Sequence, residues 1–246
     1  MYNECMEHGI VLKPEILGFY RNLPITNTLL VGWIAMGILI ITSIFVRVNL
    51  RSVPGILQNI FEIVIDYAHV LVTSLAGDKK TKIFFPFMIT FFFYIIITNW
   101  LGLLPGFGTI TYKGEPLLRS TNSDLNMTLG LALTSAVATH ILAIKYLGIK
   151  SYFLRWVALN PIFLFVGILE IISEFTKIVS LSFRLFGNIF AGEVAIFAVT
   201  GIFAFILPLP FYFLEIIVGF VQAAIFAMLT LVFMVLLSEK QSSEIH

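Results

Sequence analysis

The chain has 246 residues, of which 59% are hydrophobic and 12% are charged, whereas soluble domains carry about 25% charged residues. Its 15 basic and 14 acidic residues leave a net charge of +1, which excludes a basic nucleic-acid-binding surface, and so apolar a composition excludes a disordered chain. The single cysteine, Cys5, excludes an intramolecular disulfide, and no cysteines or histidines have the spacing of a zinc site. We therefore expect an all-α integral membrane protein in contact with lipid, without a metal site or a cofactor.

Three apolar stretches follow a polar lead-in of residues 1–27, which has no apolar core of a cleaved secretory signal. They are residues 28–46, 83–104 and 125–144. Each is long enough to cross ~30 Å of hydrocarbon at a rise of ~1.5 Å per residue. The sequence predicts three membrane spans here, within a single integral membrane domain.

Between the first two spans, residues 54–76 predict an amphipathic helix that lies at the membrane surface. Pro54 stands where helices often begin, and the face opposite the polar residues is apolar. The polar residues recur at spacings of three or four: Gln58, Asn59, Glu62, Asp66, His69 and Thr73. We expect these residues to form its hydrated face.

Basic residues predict the orientation in the membrane. The loop between the first two spans carries Arg47, Arg51, Lys79, Lys80 and Lys82, and the loop after the third span carries Lys145, Lys150 and Arg155. Since positively charged loops remain in the cytoplasm, both loops should face it. The N-terminus is then outside and the C-terminus cytoplasmic.

Residues 160–237 predict two long helices joined as a strongly tilted hairpin. Asn160 and Pro161 are typical of a helix start, and the next prolines are Pro208 and Pro210. A helix over that distance would be ~70 Å long, so it must tilt steeply, bend or break in two. The possible bending points are Gly187, Gly192 and Gly201. In total we expect about five membrane crossings and one interfacial helix.

The first of these two helices carries five charged residues in otherwise apolar sequence: Glu170, Glu174, Lys177, Arg184 and Glu193. Each would cost ~2.5 to 3.5 kcal/mol if it faced lipid at the bilayer centre, so they should face protein, water or each other. Helical spacing places the first four on one narrow stripe. An ion pair of Glu174 with Lys177 that only neutralises this stripe is an alternative to a functional role.

Arg184 is harder to explain by such pairing. Glu193 lies nine residues on, about 180° around the helix from the arginine. We therefore expect the counter-ion of Arg184 on another molecule. On the last helix, Glu215 and Gln222 are seven residues apart and share one face, which favours a hydrated lining, although Gln222 alone is also compatible with a hydrogen bond between helices.

Two segments of the chain are similar to motifs of one family, subunit a of the F-type ATP synthase. SLSFRLFGNIFAGE, from Ser180, resembles the arginine motif of that family, and EIIVGFVQAAIFAMLTLVFM, from Glu215, resembles its last helix. Weaker similarity occurs in PGILQNIFE from Pro54, NWLGLLPGF from Asn99 and STNSDLNMTLGLAL from Ser120. The similarity thus covers nearly the whole chain in the expected order.

The resemblance implies a proton-translocating stator subunit that offers two offset half-channels to a rotating ring of proteolipid subunits. Arg184 would face the carboxylate of each passing ring subunit, with Asn188 at the same interface. The outer half-channel would be lined by Glu193, Glu215 and Gln222, and the cytoplasmic one by Glu170 and Ser180. Some relatives have a histidine where this chain has Glu215, so here two acids would share the outer path.

The same resemblance implies the partners and the location of the chain. They are the c-ring, subunit b of the peripheral stalk and, through the complex, the F1 head, in a bacterial inner membrane. The chain itself would not be catalytic. Alternatives are a self-contained proton-coupled secondary transporter, which predicts internal repeats that the sequence lacks, and an intramembrane enzyme, for which no HExxH or GxSxG motif is present.

Five further residues have more ordinary interpretations. His140 is expected to form a hydrogen bond between helices rather than to line an access path. Asn99 and Trp100 are expected to anchor a span at the membrane interface. Asp124, with Asn126, predicts a capped helix start, and could also edge an outer vestibule.

Overall fold

The structure is a computed structural model that describes residues 14–21, 23–50, 55–104, 107, 110–112, 115–156, 161–202 and 206–239. Most of these residues form helices because long apolar segments in lipid must satisfy their backbone hydrogen bonds internally. The described residues contain seven α-helices: α1 (Asn27–Val48), α2 (Ile56–Ala76), α3 (Asp78–Gly102), α4 (Leu125–Leu147), α5 (Ile149–Trp156), α6 (Pro161–Ile202) and α7 (Pro208–Ser238).

Six of these helices contain a segment long and apolar enough to cross a membrane, counted over the described part of the chain. The prediction of an all-α integral membrane protein is therefore confirmed. The six segments are Asn27–Val48, Gln58–Ala76, Asp78–Gly102, Leu125–Leu147, Gly167–Gly201 and Pro208–Ser238. Five of the segments correspond to the predicted crossings, and the remaining one, Gln58–Ala76, belongs to α2. Length and composition do not separate a span from a surface helix, so the interfacial position of α2 stays a prediction.

The helix boundaries lie close to those predicted from the sequence. α6 is one continuous helix of 42 residues, about 63 Å long at ~1.5 Å per residue, and does not break into two pieces. A helix of that length exceeds the hydrocarbon thickness about twofold, so we still expect it to tilt steeply in the membrane. Pro54 and Asn160, which we expected at helix starts, lie outside the described residues.

Two short antiparallel hairpins were not predicted. β1 (Ile16–Tyr20) pairs with β2 (Leu23–Thr26), and β3 (Thr111–Tyr112) pairs with β4 (Glu115–Pro116). Arg21 makes the turn of the first hairpin with a φ of 56°. The described part of the polar lead-in is therefore a hairpin that runs directly into α1, while residues 1–13 lie outside the description.

The chain divides into two compact units. Unit 1 comprises residues 1–48, 93–128 and 183–223, and its buried apolar side chains include Val31, Ala35, Ile95, Leu185 and Ile189. Unit 2 comprises residues 49–92, 129–182 and 224–246, and its buried apolar side chains include Val72, Phe84, Phe226, Leu231 and Met234. Each unit thus has its own apolar core, and the single membrane domain expected from the sequence stays a prediction.

Gly148 sets the position of the short helix α5. Its φ of +80° lies in the left-handed region, which favours glycine at the end of a helix. Its N–H donates to the Ile144 carbonyl at 2.9 Å, and its own carbonyl accepts from the Tyr152 N–H at 3.0 Å. The chain therefore ends α4 and begins α5 within one residue, which brings the side chain of Tyr152 back to His140.

Cysteine labelling tests the orientation of α2. We expect Gly55→Cys and Asp78→Cys, at opposite ends of α2 and each in a Cys5→Ser background, to react with a membrane-impermeant maleimide from the same side of the membrane, because an interfacial helix returns the chain to that side. Inverted and right-side-out vesicles provide the two accessible sides. Labelling of the two positions from opposite sides would make α2 a membrane span.

Candidate functional site

Glu193 on α6 and Glu215 on α7 lie close together in unit 1. Glu215 is buried, with 5% of its surface exposed. A side chain on Gly192 would collide with the Glu215 carboxyl group, so the glycine permits the close approach of the two helices. Glu193 is near enough to Glu215 for the two carboxyl groups to repel each other when both are ionised. The two acids predicted for one path are thus brought together.

A second group of polar residues reaches Glu193 from the segment before α4. The Arg119 Nε donates to the Ser123 hydroxyl oxygen at 3.3 Å. The Arg119 guanidinium attracts the Glu193 carboxyl electrostatically, and the Ser123 hydroxyl lies within its hydrogen-bonding reach. Arg119 and Ser123 were not among the residues predicted for the site. The one sign of Arg119 in the sequence is that a basic residue stands directly before the segment STNSDLNMTLGLAL.

Side-chain amides connect α3 and α7 within unit 1. The Asn122 Nδ2 donates to the Thr98 hydroxyl at 2.8 Å and to the Asn99 Oδ1 at 2.6 Å, and the Asn99 Nδ2 donates to the Gly219 carbonyl at 2.9 Å. Asn99 is 1% exposed, so the expectation that it anchors the span at the membrane interface is wrong. It is instead a buried hydrogen-bonding residue, whereas Trp100 is exposed and donates from Nε1 to the Ile216 carbonyl at 3.2 Å.

Asp124 caps α4 as predicted. Its Oδ1 accepts a hydrogen bond from the Asn126 backbone N–H at 2.9 Å. Its Oδ2 accepts one from the Thr28 hydroxyl at the start of α1, also at 2.9 Å. The carboxylate thereby joins two helix starts in unit 1, an arrangement that sequence spacing alone could not reveal.

Four buried polar atoms in unit 1 lack a hydrogen-bond partner among the described residues. They are the Ser120 Oγ, the Asn122 Oδ1, the Glu215 Oε1 and the Gln222 Nε2. Gln222 is 6% exposed, and its amide nitrogen does not make the hydrogen bond between helices that we considered as an alternative role. Buried polar groups in proteins are normally satisfied by protein or by ordered water. An ordered water molecule would satisfy each of these atoms.

Arg184 lies on an exposed part of α6 in unit 1. Gly187, one turn on, has open space where a side chain would begin, and the small residue Ala191 is also exposed. Asn188 is half-buried. Small residues allow another helix to approach closely in a membrane, so the surface beside Arg184 is compatible with a partner helix.

In unit 2, the carboxylate of Glu174 lies next to both Lys177 and His140. Its Oε1 accepts a hydrogen bond from the Lys177 Nζ at 2.5 Å, so the ion pair that we considered as an alternative to a functional role is present. Its Oε2 is 3.9 Å from the His140 Nε2. The His140 Nδ1 is 2.9 Å from the Tyr152 hydroxyl, which confirms the expected hydrogen bond between helices. Of the two residues predicted for the cytoplasmic path, Glu170 is half-buried and Ser180 is exposed.

Comparison with known proteins identifies the family. The family model described as "ATP synthase A chain" matches residues 29–235. The chain belongs to this family. It is also 33% identical over 206 residues to a protein named ATP synthase subunit a from Geotalea daltonii, a match that covers 82% of each chain. The resemblance inferred from the sequence motifs is therefore confirmed.

Family membership establishes the general role of the chain. Members are non-catalytic subunits of the membrane sector, Fo, of ATP synthase, in which they serve as the proton-translocating stator. The chain is thus a multi-pass membrane subunit that works in a complex with other Fo subunits and F1. This assignment favours the stator over the self-contained transporter and the intramembrane enzyme.

The amide contacts of Asn122 generate a stability prediction. Asn122→Ala should lower the midpoint of thermal unfolding of the purified chain in detergent, because it leaves the buried side chain of Asn99 without its donor at a cost of about 1 to 3 kcal/mol. Asn126→Ala is the matched control, since that side chain is exposed. An equal effect of both variants would contradict a structural role for the Asn122 amide.

Proposed function

We propose that this subunit provides two offset half-channels to a rotating c-ring and that Arg184 is the cation that faces the ring carboxylates. The observation that supports this proposal best is the exposure of Arg184 on a helix of the membrane domain, beside Gly187 and Ala191. A charge exposed at membrane depth is expensive in lipid, and a partner helix that carries a carboxylate would lower that cost in the assembled complex. The mid-membrane carboxylate of a proteolipid helix fits this requirement.

Arginine suits this position because its guanidinium remains charged even when it is buried. A cation next to a ring carboxylate favours the ionised form, so a ring subunit that approaches Arg184 releases its proton. The same cation repels protons and thereby prevents a direct leak between the two half-channels. Release, rotation and reprotonation then follow one another as the ring turns.

The outer half-channel consists, in this proposal, of Glu193, Glu215 and Gln222. The proximity of the two carboxyl groups and the unpartnered Glu215 Oε1 and Gln222 Nε2 support a path that carries water and protons. Two like charges in one buried site are costly, so the two acids would share a proton. Arg119 adds a positive charge beside Glu193, which limits that cost.

Glu170 and Ser180 belong to the cytoplasmic half-channel in this proposal. The half-buried carboxyl group of Glu170 and the exposed hydroxyl of Ser180 are both polar groups on an otherwise apolar helix. Because a charged ring site cannot enter lipid cheaply, protons that enter by one channel leave by the other only after rotation. A membrane potential supplies ~2.3 kcal/mol per proton for each 100 mV.

We further propose the surroundings of the chain in the cell. The basic residues next to the spans support an N-terminus outside and a C-terminus in the cytoplasm, in a bacterial inner membrane. The ring and subunit b are its direct partners, and the F1 head is reached through the complex. The exposed polar residues of α2, among them Asp66 and His69, are the candidate contact for subunit b.

Substitution of Arg184 tests the proposal. In inverted vesicles with a correctly assembled complex, Arg184→Ala and Arg184→Lys should both lose ATP-driven acidification, because alanine removes the charge and a buried lysine can give up its proton. Arg47→Lys, at the end of α1, is the matched control and should pump normally. Normal acidification with Arg184→Ala would contradict the central assignment.

The two outer acids generate a second functional prediction. Glu193→Gln and Glu215→Gln should each slow ATP-driven pumping by roughly tenfold or more, in the range of general acid and base effects, and the double variant should lose no more than the worse single variant if both act in one path. Glu62→Gln on α2 is the control for loss of a carboxylate. Multiplied losses in the double variant would place the two acids in independent paths.

A further inference from the structure

The two carboxylate oxygens of Glu174 have different environments. Oε1 is held by the Lys177 ammonium at 2.5 Å, whereas Oε2 points to the His140 imidazole at 3.9 Å. The ammonium group also lies over the ring of Phe233, 4.6 Å from its centroid, which fixes it further. One oxygen is thus held in an ion pair, and the other remains available to a second group.

The gap between Glu174 and His140 is of the size that a water molecule bridges. At 3.9 Å the two atoms are too far apart for a direct hydrogen bond. A small cavity with room for about one water molecule adjoins the carboxylate, and its mostly apolar lining includes Ser135, Thr139, Glu174 and Lys177. A space of this size that borders a carboxylate and an ammonium group can hold a water molecule.

His140 connects this buried site with a more exposed one. Its Nε2 faces Glu174, and its Nδ1 faces the Tyr152 hydroxyl at 2.9 Å on α5. The exposed fraction of the side chain rises from 11% for Glu174 to 28% for His140. The cluster lies next to Lys145 and Lys150, at the end of α4 that the basic residues assign to the cytoplasm.

An ion pair that only neutralises charge would need nothing beyond Lys177. The additional imidazole, with one nitrogen towards a buried carboxylate and the other towards a phenol, is typical of a proton relay, since histidine gains and loses protons near neutral pH. The charged and titratable side chains of this cluster come from α4, α5 and α6: His140, Tyr152, Glu174 and Lys177.

We propose that Glu174, His140 and Tyr152 form a proton relay between the cytoplasmic half-channel and the cytoplasm. This inference rests on the proposed function of the chain. Lys177 holds the first oxygen of Glu174 and so directs the second one towards His140. None of these residues belongs to the set that the motif similarity carried over, and the relay adds a defined exit to the path of Glu170 and Ser180.

During ATP synthesis the proton moves through the cluster towards the cytoplasm, one transfer at a time. A proton released by the ring binds the Glu174 Oε2 and passes through a bridging water to the His140 Nε2, which leaves the carboxylate ionised and forms an imidazolium. The imidazolium passes its Nδ1 proton to the Tyr152 oxygen while the phenol proton leaves to water. Exchange with water, which removes the proton from Nε2 and supplies one to Nδ1, restores the first tautomer. Hydrolysis reverses the direction.

Chemical rescue provides the sharpest test. In inverted vesicles that carry the complete complex, His140→Ala should slow ATP-driven generation of membrane potential by roughly tenfold or more, as for loss of a general acid or base. Imidazole added to the medium, which is the cytoplasmic side of these vesicles, should restore the rate because a free imidazole can carry the proton. A potential-sensitive dye avoids interference from the buffering by imidazole, and wild-type vesicles with imidazole provide the baseline.

Variants of the other two residues separate a relay from a packing effect. Glu174→Gln should slow the reaction and Glu174→Asp should retain part of the rate, because the aspartate keeps an ionisable group. Tyr152→Phe should slow it less than His140→Ala, since water can replace the hydroxyl. Tyr146→Phe is the matched control, because this tyrosine packs against Phe84 outside the cluster and should have no effect.

The outcomes distinguish this proposal from the function on which it rests. A wild-type rate with His140→Ala, or a slow rate that imidazole does not restore, would overturn the relay. If Arg184→Ala abolishes pumping while the cluster variants pump normally, only the relay fails. If Arg184→Ala also pumps normally, the proposed function itself fails.

Discussion

The high cost of an uncompensated charge in lipid is the constraint on which this structure depends. The chain carries acidic and basic side chains on helices that are otherwise apolar, and each of them must be paired, hydrated or covered by another subunit. Glu174 is paired with Lys177, and Glu193 lies beside Arg119 and Ser123. Arg184 is exposed on α6, where a partner of opposite charge in the complex can cover it.

Small residues make this arrangement possible because they determine how closely helices approach. Gly192 leaves room for the Glu215 carboxyl group, and Gly102 similarly leaves room for Ser120. Gly187 instead leaves open space beside Arg184. Glycines in α6 thus serve two purposes: one allows two acids to meet within the chain, and the other keeps a surface accessible to a partner helix. A bulkier residue would disturb a different function at each position.

The sequence predicts the helices well because a span requires a long apolar run, which is visible without any knowledge of tertiary contacts. It also allows the pairing of Glu174 with Lys177 as one alternative, since residues three apart share a helix face. The proximity of Glu193 to Glu215 and the role of Arg119 depend on how distant segments pack, which no local spacing encodes. Asn99 was misassigned for the same reason. The local sequence at the end of a span is the same whether the asparagine side chain faces lipid headgroups or forms a hydrogen bond with Asn122. The hairpins β1–β2 and β3–β4 are too short to produce a clear alternating pattern.

Disulfide trapping tests most directly whether the surface of Arg184 faces the ring. A cysteine at Asn188, one turn from Arg184, would be combined with a cysteine next to the mid-membrane carboxylate of the ring subunit in the assembled complex. If Arg184 faces the ring, an oxidised dimer of the two subunits forms with Asn188→Cys and none forms with Phe186→Cys, which helical spacing places about 160° away from Asn188. A disulfide that forms with Phe186→Cys but not with Asn188→Cys would place the ring against the other face of α6, and Arg184 could not then be the cation that faces the ring.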